Sequence, residues 1–162
     1  MAANKVGSSM ASVGLLTDVD TVQRNSLGAR EQDEANNEYV YMPGVASLAA
    51  GDWVMYSLAT YVPTRLINDA SSSTAGLVAV ALVAALAVNF GWFQIYGNVL
   101  VAAIATTSSV SFSLYRSSTA GRAAVTAVAK DCIFGAYTSA ASVANVGTAT
   151  VVYPFVTDNS TL

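Results

Sequence analysis

The chain has 162 residues, enough for one domain, and its low charge excludes several classes of function. Charged residues make up 10% of the sequence, against roughly 25% in an ordinary soluble domain. The net charge is −3 and the cations form no cluster, which argues against nucleic-acid binding through phosphates. Without histidine, and with Cys132 as its single cysteine, the sequence lacks Ser–His and Cys–His pairs, a common zinc site and an internal disulfide. We therefore expect no catalytic residue, no cofactor and no metal.

Residues 1–37 are predicted to form an extended N-terminal arm, because they hold nearly half of the charges and show no sustained periodicity. Its candidate contacts with a partner are an apolar patch and two cations: Val13, Leu15, Leu16, Arg24 and Arg30. The alternative interpretation is a disordered tail that binds no partner. The first residues also lack the continuous apolar core of a signal peptide, so we expect synthesis in a reducing cytoplasm.

Residues 38–162 are predicted to form an all-β domain, a single sandwich or barrel of about nine or ten short strands separated by turn signals. Gly97-Asn98, between the strands predicted at residues 91–96 and 99–105, is a candidate for a tight hairpin turn. Pro63 places its segment at a sheet edge, because proline cannot donate to a ladder. The predicted strands are residues 39–41, 53–57, 61–67, 77–88, 91–96, 99–105, 110–115, 123–129, 133–138 and 148–155.

No charged residue stands in residues 70–115, and part of this run is long enough to span a bilayer. From Val78 onward, however, large and small side chains alternate with the period of a strand, and Lys or Arg do not flank the run as a cluster. We therefore expect no membrane partner. A chain with so little charge is expected to cover part of its apolar surface with copies of itself, most simply as a closed homo-oligomer such as a trimer.

Three aromatic residues are the candidate contacts of the β domain: Trp53, Trp92 and Tyr96. Trp92 and Phe93 occupy successive positions of a predicted strand and therefore point to opposite faces. One of them can fill the core while the other meets a subunit or a partner surface. Core packing of both is the competing interpretation.

Four fragments carry a resemblance to a known family. They are YMPGVASLAAGDWVMYS (residues 41–57), TRLI (64–67), GWFQIYGN (91–98) and PFVTDN (154–159). Together they resemble the small β-rich proteins with which tailed bacteriophages decorate or cement their heads, over residues 38–159. The resemblance implies a non-enzymatic virion protein on the outer surface of the head, with the major capsid protein and further copies of itself as partners.

Two other classes of function compete with this interpretation. A receptor- or glycan-binding fibre or spike module would also be β-rich, with Trp92, Gln94 and Tyr96 lining a sugar groove, and it should expose more than one tryptophan. An enzyme would need paired acids, but no acidic residue of the β domain is adjacent to another. We therefore predict that the chain is not an enzyme.

Overall fold

A computed structural model describes residues 16–67, 75–85, 87–105, 110–126, 131–142 and 145–157. These residues contain ten strands and no helix. The strands are β1 (Arg30–Gln32), β2 (Glu38–Pro43), β3 (Trp53–Tyr56), β4 (Thr64–Arg65), β5 (Gly76–Ala81), β6 (Phe90–Ala102), β7 (Ser113–Arg116), β8 (Ala123–Ala124), β9 (Cys132–Thr138) and β10 (Gly147–Val156).

All ten strands join one sheet through antiparallel pairings, in the order β1-β2-β6-β5-β10-β9-β7-β8. Strand β3 pairs with β5 and β4 pairs with β3, while β6 makes a further pairing with β10. The predicted all-β class and the predicted number of strands are confirmed, as a single domain of the sandwich or barrel type. In the described ranges, no helix is long and apolar enough to cross a membrane.

Apolar side chains on both faces of the sheet form three buried clusters. Strands β3, β5, β6, β7, β9 and β10 contribute to the largest cluster. A second cluster joins β2 to β3, β5 and β6. The third contains Tyr39, Tyr41 and Trp92, with the Tyr41 and Trp92 rings 5.2 Å apart in an edge-on contact. Trp92 and Phe93 therefore lie on opposite faces of β6, as the alternation predicted, and both are buried.

Residues 16–29 form a strap that covers the third cluster. Leu16, Leu27 and Ala29 pack against its aromatic rings. The strap is held by backbone hydrogen bonds to Tyr41 and by the buried carboxylate of Asp20, which accepts the Tyr41 hydroxyl at 2.7 Å. Residues 1–15 lie outside the described residues, and the division of the chain at residue 37 stays a prediction.

The predicted hairpin turn at Gly97-Asn98 is wrong, because β6 runs through it as one strand of 13 residues. Glu38 of β2 pairs with Tyr96 and Tyr39 pairs with Gln94, so β6 carries one extra residue at this point. Such an extra residue is a β-bulge, which bends the strand without ending it. Gly97 follows the bulge with φ 98°, a conformation that glycine adopts without strain.

Further elements differ from the prediction. The strand predicted at residues 123–129 covers only Ala123–Ala124 within the described residues 123–126. Strand β5 ends at Ala81 instead of Val88, and the segment predicted at residues 61–67 pairs only at Thr64 and Arg65. Its predicted edge position is confirmed, since β4 pairs with β3 alone. Strand β1 was not predicted, because the arginine, glutamate and glutamine of residues 30–32 have no apolar alternation.

Gly97→Ala should lower the free energy of unfolding by about 1 to 3 kcal/mol, because a side chain at this φ is strained. The added Cβ would also lie 3.0 Å from Asn37 Cα and overlap the Asn37 side chain. Gly91→Ala is the matched control on the same strand, since its Cβ would meet only Val83 Cγ2, at 3.4 Å. Denaturant unfolding compares the two variants. Equal stability of the two variants would contradict the positive φ of Gly97 and its close approach to Asn37.

Candidate interaction surface

The residues predicted to contact a partner divide into interior and surface positions. Trp53 is 0% exposed in the largest cluster and Trp92 is 2% exposed beneath the strap. This corrects the expectation that they contact a partner, because the core and the strap already cover both rings. Among the predicted contacts in the described residues, Leu16 comes together with Trp92 in the third cluster. Arg30 comes together with Tyr96 through Tyr153 of β10.

The remaining predicted contacts lie in or near the arm. Leu16 packs against the third cluster, and Arg24 is exposed with its Nε 3.0 Å from Asp20 Oδ1. Val13 and Leu15 lie outside the described residues. Leu16 and Arg24, the two predicted contacts in the strap, therefore bind residues of the same chain: Leu16 contacts the sheet and Arg24 contacts Asp20 of the strap.

An aromatic face lies on the outward side of β6, β10 and β9. It consists of Tyr96, Phe134, Tyr137, Val152, Tyr153 and Phe155. A break in the alternation of β9 and β10 explains it, because the pairing shifts register between Val151 and Phe155, where Gly135 and Tyr153 adopt positive φ. Ile133 and Ala136 therefore both point to the core although they are three positions apart. Four of its aromatic residues, Phe134, Tyr137, Tyr153 and Phe155, are 41–43% exposed.

Pairs of rings order the aromatic face. Phe134 and Phe155 are directly paired across β9 and β10, and their rings stack with centroids 5.2 Å apart. The Tyr96 and Tyr153 rings also lie 5.2 Å apart. Such contacts fix the side chains before any partner binds, which lowers the entropy lost on binding.

One end of the aromatic face carries two opposite charges. The Arg30 guanidinium lies 6.0 Å above the Tyr153 ring, a cation–π distance. A hydrogen bond from the Tyr153 hydroxyl to Glu38 raises the pKa of that phenol, with smaller contributions from burial and from the Glu38 charge, while Arg30 acts in the opposite direction. Arg30, Glu38 and Tyr153 thus form one electrostatic cluster at the surface.

A groove of about 750 Å³ includes Tyr96 in its mainly apolar lining, and its polar side chains Asp33, Asn37 and Gln94 are already engaged. The Asp33 carboxylate accepts hydrogen bonds from Ala35, from the backbone and side chain of Asn37, and from the Tyr39 hydroxyl. Burial acts to raise the pKa of Asp33, but these hydrogen bonds outweigh it and hold the pKa below its ordinary value. Gln94 is buried and donates to the Tyr96 carbonyl. These groups shape the turn between β1 and β2.

The described residues contain no group of three or more histidine, cysteine or acidic side chains that could hold a metal ion. Cys132 is a free thiol at the start of β9, and burial raises its pKa. Its reactive thiolate form is therefore disfavoured at neutral pH.

The motifs behind the resemblance lie mainly in the core. Asp52 of the Gly-Asp-Trp fragment forms an ion pair with Arg65 of the Thr-Arg-Leu fragment at 3.0 Å, and the Leu66 amide donates to the Trp53 carbonyl. Comparison of the chain with protein-family models, curated proteins and solved structures found no match. The resemblance therefore stays an expectation.

Replacing Glu38 by glutamine should lower the pKa of Tyr153 toward the ordinary value of 10.0, because the charged acceptor is lost. Glu31→Gln is the matched control: it removes an acid from neighbouring β1 that does not contribute to the Tyr153 shift. Titration followed by NMR of ¹³C-labelled tyrosine measures both variants. A Tyr153 pKa that is equally raised in wild type and Glu38→Gln would show that the cluster does not form.

Proposed function

We propose that the chain is a structural, non-enzymatic virion protein that binds the outer surface of a tailed-phage head and decorates or cements the capsid. Its partners in this proposal are the major capsid protein and further copies of itself. A symmetric oligomer, with a trimer favoured, remains part of the proposal.

The exposed aromatic face is the observation that supports this function best. Contiguous exposed apolar surface usually marks an interaction site. An aromatic side chain buries about 150 to 250 Å² when fully covered, so a ring exposed by about two fifths still has roughly 60 to 100 Å² to bury. At about 25 cal/mol per Å², covering each such ring contributes about 2 kcal/mol. Four rings on adjacent strands can therefore hold a protein partner firmly.

Rigid support also favours a binding role for this face. The strands beneath it are hydrogen-bonded on both sides, with β10 lying between β9 and β5 or β6. Thr150 Oγ1 donates to Asn98 Oδ1 at 3.1 Å, which joins β10 to β6 on the same surface. A protein that cements a shell needs a surface that keeps its shape under load, and a side chain on a sheet meets that need better than one on a loop.

The alternative, a glycan-binding fibre or spike module, has less support. It was expected to expose more than one tryptophan, whereas Trp53 and Trp92 are both buried. Of the residues proposed to line its groove, Trp92 and Gln94 are interior and Tyr96 alone reaches the surface. No contact in the described residues favours it.

Replacing Phe134 and Phe155 together by serine should weaken binding to heads that lack the protein by about 100-fold, which corresponds to losing roughly 3 kcal/mol. Both rings are partly exposed, so the fold should persist. Val22→Ser with Val88→Ser is the matched control, because these apolar side chains are exposed and lie outside the aromatic face.

Co-sedimentation with intact heads measures the affinity of wild type and both double variants. Circular dichroism checks the fold, and analytical ultracentrifugation shows whether a variant has lost self-association instead of head binding. Unchanged head binding by a folded Phe134→Ser, Phe155→Ser protein would contradict the proposed use of this face. A wild-type protein that binds no heads would contradict the function itself.

A further inference from the structure

Arg30 differs from the other arginines of the described residues in having no polar partner. Ion pairs join Arg24 to Asp20, Arg65 to Asp52 and Arg116 to Asp131. Arg122 donates to the Asn145 side chain. The exposed Arg30 guanidinium lies over the Tyr153 ring and forms no ion pair or hydrogen bond with the described residues, so its N–H groups are open to a ligand.

An apolar pocket of about 350 Å³ opens beside the Arg30 guanidinium. Its walls include Tyr56, Leu77, Ile95, Tyr153 and Pro154. This volume is at the lower end of the range for small-ligand sites, about 300 to 1,000 Å³. The pocket therefore accommodates a short apolar chain or a single ring.

A second polar group inside the pocket also lacks a partner. Tyr56 is 4% exposed, yet its hydroxyl forms no hydrogen bond with the described residues. The hydroxyl oxygen is not one of the fully buried side-chain atoms that lack a partner, so it reaches the open space of the pocket, where the hydroxyl can donate to a ligand. Arg30 and Tyr56 line the same pocket; burial raises the pKa of the Tyr56 phenol, and the positive charge of Arg30 opposes that rise.

We infer that this pocket binds a carboxylate carried on a short apolar group. Arg30 donates to the carboxylate at the mouth, the Tyr56 hydroxyl donates to it from inside, and Leu77 with Ile95 contacts the apolar part. A guanidinium suits a carboxylate because its N–H groups match both oxygens. The same chemistry is offered by a free short-chain fatty acid and by a glutamate next to a leucine on a partner protein.

This site goes beyond the proposed head-binding role and does not require it. The pocket touches the aromatic face at Tyr153, so a partner that covers the face could insert an acidic residue beside it. A free carboxylic acid could equally occupy it in the absence of any head. Binding of small probes to the purified protein therefore tests the site independently of head binding.

The experiment titrates the full chain with hexanoate, 1-hexanol, acetate and a blocked Leu-Glu-Leu peptide, and follows the methyl signals of Leu77, Val78 and Ile95 by NMR. Hexanoate should bind at least tenfold more tightly than hexanol, because only hexanoate pairs with Arg30. Acetate lacks the apolar part and should bind most weakly. Tighter binding of the peptide than of hexanoate would identify a protein carboxylate as the natural ligand, and the reverse order would identify a free acid.

Arg30→Gln should reduce the affinity for hexanoate to that for hexanol, and Tyr56→Phe should weaken it about fivefold while leaving hexanol unchanged. Arg122→Gln is the matched control, since this arginine lies outside the pocket lining, and it should bind hexanoate like wild type. Equal affinities for hexanoate and hexanol, or an Arg30→Gln protein that binds hexanoate like wild type, would overturn the inference. Either result would leave the proposed head binding untouched.

Discussion

The bulge in β6 is the constraint on which the rest of the structure depends. Before the bulge, Trp92 faces the strap and Phe93 faces the second buried cluster. Beyond it, Gly97 adopts a positive φ, and its missing side chain lets Asn37 approach closely enough to accept the Asn98 amide at 2.9 Å. One strand can thus pair with β2 and β5 over its first half and with β10 over its second. A two-residue hairpin at the same point would have separated these pairings.

The two sides of β6 differ in how much of their aromatic surface is covered. On one side, the strap covers the rings of Tyr41 and Trp92, and burial followed by the hydrogen bond to Asp20 raises the pKa of Tyr41 to about 12. Nothing in the described residues covers the aromatic face in the same way. Its Phe134 and Phe155 rings pack on each other instead. This unequal covering of aromatic surface is the physical basis for assigning the binding role to the aromatic face.

Much of the sheet could be predicted from the sequence because alternation of large and small side chains marks strands, as in Val78 to Ala81 of β5. The function of Gly97 could not, since a positive φ is required both in a hairpin turn and after a bulge. Nor could alternation alone tell which outward face would be covered, so Trp92 was expected at a partner surface that the strap already occupies. Only the fold brings Arg30 next to Tyr153, more than a hundred positions away in the sequence.

In the proposed function, the outward face of β6, β10 and β9 is the surface that is covered on assembly. Hydroxyl-radical footprinting of free and head-bound protein tests it most directly, because side-chain oxidation reports the solvent exposure of each residue. We expect Phe134, Tyr137 and Phe155 to lose reactivity on heads, while exposed Val22 and Val88 keep theirs. Unchanged reactivity of the three aromatic residues, with protection at the two valines, would contradict the account.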